Sequence, residues 1–303
     1  MEKIGVIGQG FVGSAVTEKF KEKFIVYAYD KFNEGKSITY NLNNENETPY
    51  NDITELVREC DIIFVCVPTP MFQDGECDTR IVESVINEIA TECKKLDRAI
   101  IAVLKSTVPP RTTLTLNNIS DRVSVCFNPE FLTEANAIQD YKNQDRIILG
   151  IDMLACETPL KDIFLQVFPN ARIHIISSNE AEMVKYFTNL FLATKVSFFN
   201  DMYQMCRVLE IDYDRVVNIA IEDTRIGNSH HRVPGPDGDF GYGGHCFPKD
   251  MNAILFLAHE LGVPVPTLTG AHVTNQIVRS NRDWEKMEGR AFSKREETEI
   301  QEN

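Results

Sequence analysis

The stretch Lys3-Ile4-Gly5-Val6-Ile7-Gly8-Gln9-Gly10-Phe11-Val12-Gly13 decides the fold of this chain. An apolar run of strand type leads into a G-x-G-x-x-G turn, and a helix is predicted to follow it as far as Phe20. In such a turn the first glycine allows the tight bend, the second admits a pyrophosphate, and the third lets the helix pack against the strand. The stretch therefore predicts a dinucleotide-binding unit.

An acidic residue completes this unit. A second strand is predicted over residues 24–29, and Asp30 follows it, about 20 residues beyond the first glycine, where the dinucleotide fingerprint carries an acid. A carboxylate there accepts a hydrogen bond from a ribose 2′-hydroxyl and repels a 2′-phosphate. The sequence therefore favours NAD over NADP as the cofactor.

Strands continue to alternate with helices up to residue 176. A helix is predicted at 79–96, and further strands are predicted at 61–67, 99–104, 123–127, 146–150 and 172–176. This alternation is typical of a parallel, doubly wound α/β sheet of Rossmann type. The polar segment 31–51 is predicted to be an irregular connection.

Polar residues follow three of these strands, at the edge where such sheets bind ligands. They are Pro68-Thr69, Ser106-Thr107 and Asn128-Pro129-Glu130. Asn128 before Pro129 predicts a helix start, which would place Glu130 and Glu134 on one helix face. The residues alone leave open whether these acids only offset a helix dipole.

The pattern changes at Ser177, where Ser177-x-x-Glu180 is a capping box. Helices are predicted at about 177–209, 213–222 and 265–282, so residues 177–284 form an all-helical second domain and 285–303 a flexible tail. Lys185 and Asn189 share one face of the first of these helices. Taken alone, a lysine on a helix is ordinarily solvated charge.

A glycine-rich loop then leads to a cysteine: Phe240-Gly241-Tyr242-Gly243-Gly244-His245-Cys246-Phe247-Pro248-Lys249-Asp250. A helix is predicted at 251–261 with Pro248 near its start, so Cys246 precedes a helix N-terminus. The positive end of that helix and Lys249 favour the thiolate, which is the nucleophilic form. The alternatives are a buried structural cysteine or a metal site with His230, His231 and His245, but adjacent pairs lack chelating spacing and no metal is predicted.

Composition narrows the class of protein. The net charge of -14 over 303 residues argues against nucleic acid or an anionic membrane as partner. The 8 cysteines include no C-x-x-C pair, which favours a reduced, cytoplasmic protein. The chain opens directly on a strand without a signal peptide, and no apolar run reaches the roughly 20 residues of a membrane span.

These motifs together resemble the UDP-glucose/GDP-mannose dehydrogenase family, over residues 1 to about 283. The shared segments, in the family's order, are residues 8–13, Val67-Pro68-Thr69-Pro70, Lys105-Ser106-Thr107, Asn128-Pro129-Glu130-Phe131-Leu132-x-Glu134, Glu182-x-x-Lys185-x-x-x-Asn189, Arg225-Ile226-Gly227 and Gly243-Gly244-x-Cys246-Phe247-Pro248-Lys249-Asp250. Their joint occurrence in this order is specific to the family.

The resemblance implies an NAD-dependent oxidation of a nucleotide-sugar 6-hydroxyl to the carboxylate, with UDP-glucose the preferred substrate and UDP-glucuronate the product. Two hydride transfers are implied. Lys185 would help to deprotonate the hydroxyl, while Asn189 and Asp250 would hold the oxyanion and a water molecule. Cys246 would capture the aldehyde as a thiohemiacetal, which is then oxidised to a thioester.

The resemblance also implies that Glu130, with Glu134 and Thr107 nearby, positions the water that hydrolyses the thioester. The implied cofactor-binding residues are Gly8, Gly10, Phe11, Val12, Gly13, Asp30, Pro68, Thr69, Ser106, Thr107, Glu134, Cys246 and Lys249. The implied substrate-binding residues are Glu130, Phe131, Leu132, Lys185, Asn189, Arg225, Tyr242, Gly243 and Cys246.

Family members dimerise through a long helix that matches residues 265–282, and the arginine that matches Arg225 reaches the substrate of the neighbouring subunit. A homodimer is therefore implied. The family's C-terminal UDP-binding domain is expected to be absent. Alternative functions are a dehydrogenase of another nucleotide sugar, such as GDP-mannose or a UDP-N-acetylhexosamine, and a non-catalytic NAD-binding module. A two-electron hydroxyacid dehydrogenase would share the first domain but would not need Cys246.

Overall fold

The computed structural model describes residues 3–31, 37–41, 44–50, 53–133 and 136–295. The chain divides into two compact units. The first comprises Met1–Thr69 and Thr79–Lys185, and the second comprises Pro70–Asp78 and Tyr186–Asn303. The second unit therefore includes a short segment from the first third of the chain. The domain limits predicted from the sequence, 1–176 and 177–284, stay a prediction.

The first unit contains one sheet. Its strands in the described residues are β1 (Lys3–Ile7), β2 (Ile25–Tyr29), β3 (Ser37–Asn41), β4 (Asn44–Tyr50), β5 (Ile62–Val65), β6 (Ile100–Leu104), β7 (Val123–Phe127), β8 (Arg146–Gly150) and β9 (Arg172–Ile176). Their order is β4-β3-β2-β1-β5-β6-β7-β8-β9. Strands β2, β1, β5, β6 and β7 are parallel neighbours, and β8 pairs in parallel with β9.

Helices cover both faces of this sheet. They are α1 (Phe11–Phe20), α2 (Ile53–Glu59), α3 (Arg80–Leu96), α4 (Thr112–Leu116), α5 (Ala137–Lys142) and α6 (Glu157–Val167). On β5, Ile63 and Val65 belong to one apolar cluster, whereas Ile62 and Phe64 belong to another. Successive side chains of a strand point to opposite faces, so a strand buried on both faces reads as one apolar run. The predicted doubly wound α/β fold is confirmed.

The glycine turn lies where the strand order reverses. From β1 the order runs to β2 on one side and to β5 on the other, and residues 8–13 follow the carboxyl end of β1. A Cβ atom on Gly13 would lie 1.7 Å from the carbonyl oxygen of Gly8, so only glycine lets α1 pack this close. A Cβ atom on Gly10 would meet no atom within 4 Å, which leaves that side of the turn open to a ligand.

The second unit is mainly helical. Its long helix α7 (Ser178–Val208) begins in the first unit at the predicted capping box, in which Ser177 Oγ donates to Glu180 Oε2 at 2.7 Å. Helices α8 (Tyr213–Ala220), α9 (Cys246–Glu260) and α10 (Pro266–Val278) follow. A core that includes Tyr186, Leu190, Met251 and Ala271 joins α7, α9 and α10. No helix of the described ranges combines the length and apolar character that crossing a membrane requires.

The prediction of an irregular connection at 31–51 is wrong. Strands β3 and β4 form an antiparallel hairpin, and β3 pairs with β2, so the hairpin extends the edge of the sheet. The sequence of β3 contains Ile38, Thr39 and Tyr40, which are residue types with a preference for strands. The edge of β2 offers the backbone groups that this preference needs.

The prediction of a flexible tail from residue 285 is wrong as far as residue 295, and residues 296–303 lie outside the described ranges. Residues 284–295, here called the strap, pack on the segment 70–78. Met71 donates its backbone N–H to Ala291 at 2.9 Å and accepts one from Ser293 at 2.8 Å. Trp284 and Ala291 are buried against Met71. A charged sequence thus becomes ordered through a few apolar anchors and distant backbone partners.

The glycine turn offers a paired test of packing. Gly13→Ala should lower the free energy of unfolding by about 1–3 kcal/mol, because its methyl group collides with backbone that cannot move without distorting the turn. Gly10→Ala should lower it by less than about 1 kcal/mol, since its site is open. Chemical denaturation of both variants measures this, and equal losses would contradict the packing argument.

Candidate active site

The glycine-rich loop 240–245, here called the cysteine loop, is held by side chains of α7 and α10. Asn275 Oδ1 accepts from the N–H of Tyr242 at 2.7 Å, and its Nδ2 donates to the carbonyl of Tyr242 at 3.1 Å. Asn200 Oδ1 accepts from the N–H of Gly241 at 3.0 Å. Buried backbone groups need such partners, and here two amide side chains supply them.

The buried side chain of Arg279 also stabilises the cysteine loop through hydrogen bonds. Arg279 donates to Asp237 at 2.7 Å and to Asp283 at 3.2 Å, and Asp283 also accepts from the N–H of Gly244 at 2.9 Å. A Cβ atom on Gly243 would lie 2.1 Å from the Arg279 guanidinium, so only glycine fits at this position. The sequence did not indicate that Arg279 and Asn275 would be the groups that lie close to the backbone of this loop.

Cys246 is the first residue of α9 and is half-buried. The predicted helix start was therefore too late: Pro248 lies within the first turn instead of opening the helix. Proline is tolerated there because first-turn N–H groups have no intrahelical acceptor. Cys246 thus lies in the first turn, at the positive end of α9.

Lys249, Asp250 and Asn189 form a buried polar network beside this turn. Lys249 Nζ donates to Asp250 Oδ1 at 2.6 Å, and Asn189 Nδ2 donates to Asp250 Oδ2 at 2.6 Å. Burial by itself lowers the pKa of Lys249, but attraction to Asp250, and less strongly to the Cys77 and Cys246 sulfur atoms, raises it overall. Lys249 is therefore a charged group whose partner is Asp250, on the helix turn that carries Cys246.

In the first unit, Lys185 and Glu130 form a buried pair. Lys185 Nζ donates to Glu130 Oε1 at 2.9 Å and to the Glu130 carbonyl at 2.6 Å, while Glu130 Oε2 accepts from the N–H of Leu132 at 2.7 Å. Burial alone raises the pKa of Glu130, but Lys185 and the Leu132 N–H outweigh it and lower the pKa overall. Glu130 is therefore ionised and orients the ammonium group of Lys185.

The predicted helix start at Asn128 is wrong. Residues 128–133 form no helix, α5 begins at Ala137, and Glu134 lies outside the described residues. The amide of Asn128 is engaged elsewhere, since Oδ1 accepts from Lys105 Nζ at 2.6 Å and Nδ2 donates to the Ile148 carbonyl at 2.7 Å. Sequence reasoning did not assign a role to Lys105, whose pKa burial lowers to about 8.

The other predicted cofactor residues lie at the carboxyl ends of the strands. Thr69 Oγ1 donates to the Thr107 carbonyl at 2.7 Å, and Ser106 Oγ donates to the Val67 carbonyl at 2.6 Å. These bonds bring together the segments that follow β5 and β6. Pro68 lies within the first of these segments.

The glycine turn fits a dinucleotide. Asp30 Oδ2 accepts from the N–H of Gln9 at 2.6 Å, which places the carboxylate beside the turn. Gly10 precedes the first residue of α1, whose N–H groups point towards the open side of the turn, and Phe11 and Val12 follow it. Backbone N–H donors suit a pyrophosphate, and the Asp30 carboxylate is an acceptor that suits the hydroxyls of an adenosine ribose.

Of the predicted substrate residues, Phe131 lies 5.5 Å from Lys185 Nζ, measured to its ring centroid, and Leu132 packs against the apolar cluster that contains Tyr141. Tyr242 and Gly243 lie in the cysteine loop. Arg225 differs from these residues, because its side chain is 88% exposed and its ion-pair partner within the described residues is the nearby Asp223. In the described part of the chain, no group of three or more His, Cys, Asp or Glu residues could hold a metal ion.

Comparison with known proteins relates both parts of the chain to one family. Residues 2–168 match the NAD binding domain of the UDP-glucose/GDP-mannose dehydrogenase family, and residues 179–277 match its central domain. The chain belongs to this family. Residues 8–13 and Asp30 thus lie in its NAD-binding domain, and NAD is the cofactor.

Individual relatives are similar over most of this chain. UDP-glucose 6-dehydrogenase TuaD of Bacillus subtilis is 32% identical over 92% of this chain, which spans 64% of that protein. The UDP-glucose dehydrogenase structure from Pyrobaculum islandicum is 29% identical over 91% of this chain and 68% of its own, with a TM-score of 0.81. A GDP-mannose dehydrogenase from Pseudomonas aeruginosa is 25% identical over 91% of this chain and 68% of its own, with a TM-score of 0.64.

The buried lysine predicts a pH dependence of stability. The pKa of Lys105 is about 8 in the folded protein and about 10.4 in an unfolded chain. Between these values the unfolded state holds more protons, so the contribution of Lys105 to stability rises with pH. Between pH 8 and pH 10 the free energy of unfolding of the wild type should therefore rise relative to that of Lys105→Met, by up to about 1.4 kcal/mol per pH unit.

Denaturant unfolding of both proteins at several pH values measures this difference. Lys94→Met, which replaces an exposed lysine of α3, is the matched control and should stay at a constant difference from the wild type. A constant difference for Lys105→Met as well would contradict the expected titration.

Proposed function

We propose that this protein is an NAD-dependent nucleotide-sugar 6-dehydrogenase that oxidises UDP-glucose to UDP-glucuronate. The observation that carries the proposal is the first turn of α9, where half-buried Cys246 is followed by the buried Lys249–Asp250–Asn189 network. A nucleophile beside a buried network of hydrogen bonds fits covalent capture of an aldehyde. Similarity to UDP-glucose 6-dehydrogenases supports the choice of substrate.

Lys185 is proposed to take part in proton removal from the 6-hydroxyl. Its ammonium group is fixed by the carboxylate and the carbonyl of Glu130, and it stabilises the negative charge that develops on the substrate oxygen. Asn189 lies one helical turn further along α7, where its amide is oriented by Asp250. Two molecules of NAD, bound one after the other at the glycine turn, would each accept one of the two hydrides that the substrate loses.

Cys246 is proposed to carry the intermediate between the two oxidations. Its sulfur adds to the aldehyde carbon, which forms a C–S bond and gives a thiohemiacetal after proton transfer. Loss of a second hydride and a proton yields a thioester, and water then breaks the C–S bond to release the carboxylate and the thiol. Glu130 is ionised and suits the task of orienting that water. Glu134 and Thr107 are proposed to assist.

A homodimer is also part of the proposal. Arg225 is exposed and held near the end of a loop, where Lys195 donates to the Ile226 carbonyl at 2.9 Å. This arginine is available to a substrate held by a second copy of the chain. The proposed dimer surface includes apolar side chains of α7 and α10 whose exposure to water is unfavourable. They are Phe187, Phe191, Phe198, Met205, Val273 and Ile277.

The stoichiometry of the reaction tests the cysteine mechanism. The wild type should form two NADH per UDP-glucose consumed, whereas Cys246→Ser should complete no turnover and still bind NAD, because the serine variant cannot form the thioester. NADH absorbance and product analysis over a panel of UDP-glucose, GDP-mannose and UDP-N-acetylhexosamines measure this. Cys206→Ser, at another cysteine of the second unit, is the control. One NADH per substrate, or carboxylate from the serine variant, would contradict the mechanism.

Subunit mixing tests the shared use of Arg225. Cys246→Ala and Arg225→Ala should each be inactive alone. After joint dissociation and reassembly, part of the activity should return, since each mixed dimer has one site with an intact cysteine and an intact arginine from the other subunit. Activity of mixed dimers, confirmed by differential tagging and light scattering, is the measurement. An active monomer, or inactive mixed dimers, would rule out a shared site.

A further inference from the structure

The first unit contains a cavity of about 500 Å³ at the amino ends of its strands. Its walls are residues 3–4, 61–62 and 99–101, where β1, β5 and β6 begin, together with Ser124 of β7 and the start of α6. The glycine turn and the other predicted cofactor residues of this unit follow the carboxyl ends of the strands. The cavity therefore lies at the opposite edge of the sheet and takes no part in the candidate active site.

Two cysteines meet beside this cavity. Cys156 lines the cavity, and its side chain is hydrogen-bonded to that of Cys126 on β7. Ser124 precedes Cys126 by two residues and therefore lies on the same face of β7, and its side chain is also hydrogen-bonded to Cys156. Both cysteines are free thiols. The sheet topology thus brings together two sulfur atoms that are far apart in the sequence.

The two thiols differ in acidity. The hydrogen bond from Cys126 is the largest effect on Cys156, and together with that from Ser124 it outweighs burial and lowers the pKa of Cys156 to about 7. The same hydrogen bond, and then burial, raise the pKa of Cys126. Cys156 is also the N-cap residue of α6, where the positive end of the helix favours a thiolate. The pair therefore combines a nucleophilic sulfur with a protonated one.

The packing around Cys156 selects for small reagents. Its side chain contacts the cavity but is only 1% exposed. Hydrogen peroxide is little larger than water and can reach the sulfur through the cavity, whereas glutathione and aromatic disulfides are far larger. A hydroperoxide is therefore the class of oxidant that suits this pair.

The neighbouring cysteines of the first unit lack this combination of features. Burial is the largest effect on Cys60 and on Cys93 and raises the pKa of both thiols. Both side chains are fully buried in the apolar cluster on the other face of the sheet from Cys126. A protonated thiol reacts slowly with peroxide, so oxidation should be selective for Cys156 within this unit.

We propose that Cys156 and Cys126 form a peroxide-sensitive pair, a modification site distinct from Cys246. The Cys156 thiolate attacks one oxygen of hydrogen peroxide, so that an S–O bond forms, the O–O bond breaks and the departing hydroxide takes up a proton to become water. The Cys126 sulfur then attacks the Cys156 sulfur. The S–S bond forms as the S–O bond breaks, and the Cys126 proton leaves with the hydroxyl group as a second water. Two thiols are oxidised by two electrons, and one peroxide is reduced to two waters.

Peptide mapping of the full-length protein tests this reaction. The folded protein is treated with hydrogen peroxide, its free thiols are alkylated, and it is digested without reduction. Trypsin releases Cys126 in the peptide 123–142 and Cys156 in the peptide 147–161. The two should appear as one linked species, lighter by two hydrogen atoms than their sum, which dithiothreitol separates. Absence of this species at peroxide concentrations that oxidise Cys246, or its formation only in denaturant, would overturn the proposal.

Variants identify the reacting sulfur. In Cys156→Ser, Cys126 should stay reduced, whereas in Cys126→Ala the Cys156 sulfenic acid should persist and react with dimedone. Ser124→Ala should slow linking about twofold to fivefold, because it removes a hydrogen bond to the thiolate. Cys93→Ser, at a buried cysteine of α3, is the matched control and should keep the wild-type rate. Oxidation of Cys126 at the wild-type rate in Cys156→Ser would overturn the assignment. None of these measurements requires turnover, so the result is independent of the proposed function.

Discussion

The two hydrogen bonds between the Asn275 side chain and the backbone of Tyr242 are the constraint on which the second unit depends. An amide side chain takes the place of a neighbouring strand, with one acceptor and one donor at 2.7 and 3.1 Å. Without Asn275 the loop could not be buried, because the backbone N–H and C=O groups of Tyr242 would lose their hydrogen bonds to water and form no others. The glycines and Arg279 then let the chain pass close to α10, and the start of α9 with Cys246 follows from the position of that loop.

Much of the first unit was predictable from local pattern. The apolar runs at β1, β5 and β6, together with the glycine turn, encode a buried parallel sheet within a few residues of chain, so periodicity finds them. The hairpin β3–β4 and the strap were missed for the opposite reason. Their order comes from pairing with β2 and with Met71, and no short window of polar residues contains that information.

The residues of the candidate site also fall into those that could be predicted from local sequence and those that could not. Residues within motifs, such as Lys185, Glu130 and Asp250, could be named from the sequence because each motif keeps its spacing. Lys105 could not be assigned a role, and Asn128 was misread as a helix cap. An Asn-Pro pair ordinarily starts a helix, but a buried ammonium group in need of an acceptor outweighs that preference. A hydrogen bond between residues far apart in the chain, such as that between Lys105 and Asn128, produces no recognisable pattern in the local sequence.

The second unit is not a continuous length of chain, and this bears on how the protein is made. Asp78 accepts a hydrogen bond from Ser293, 215 residues later, and both belong to this unit. At ribosomal speeds, segment 70–78 emerges roughly 10–40 seconds before its partner in the strap. During that interval Met71 and Phe72 have no strap to cover them. The residues of the sheet, up to Ile176, are therefore synthesised before the strap, and the apolar side chains of segment 70–78 lack their final packing partner until synthesis reaches it.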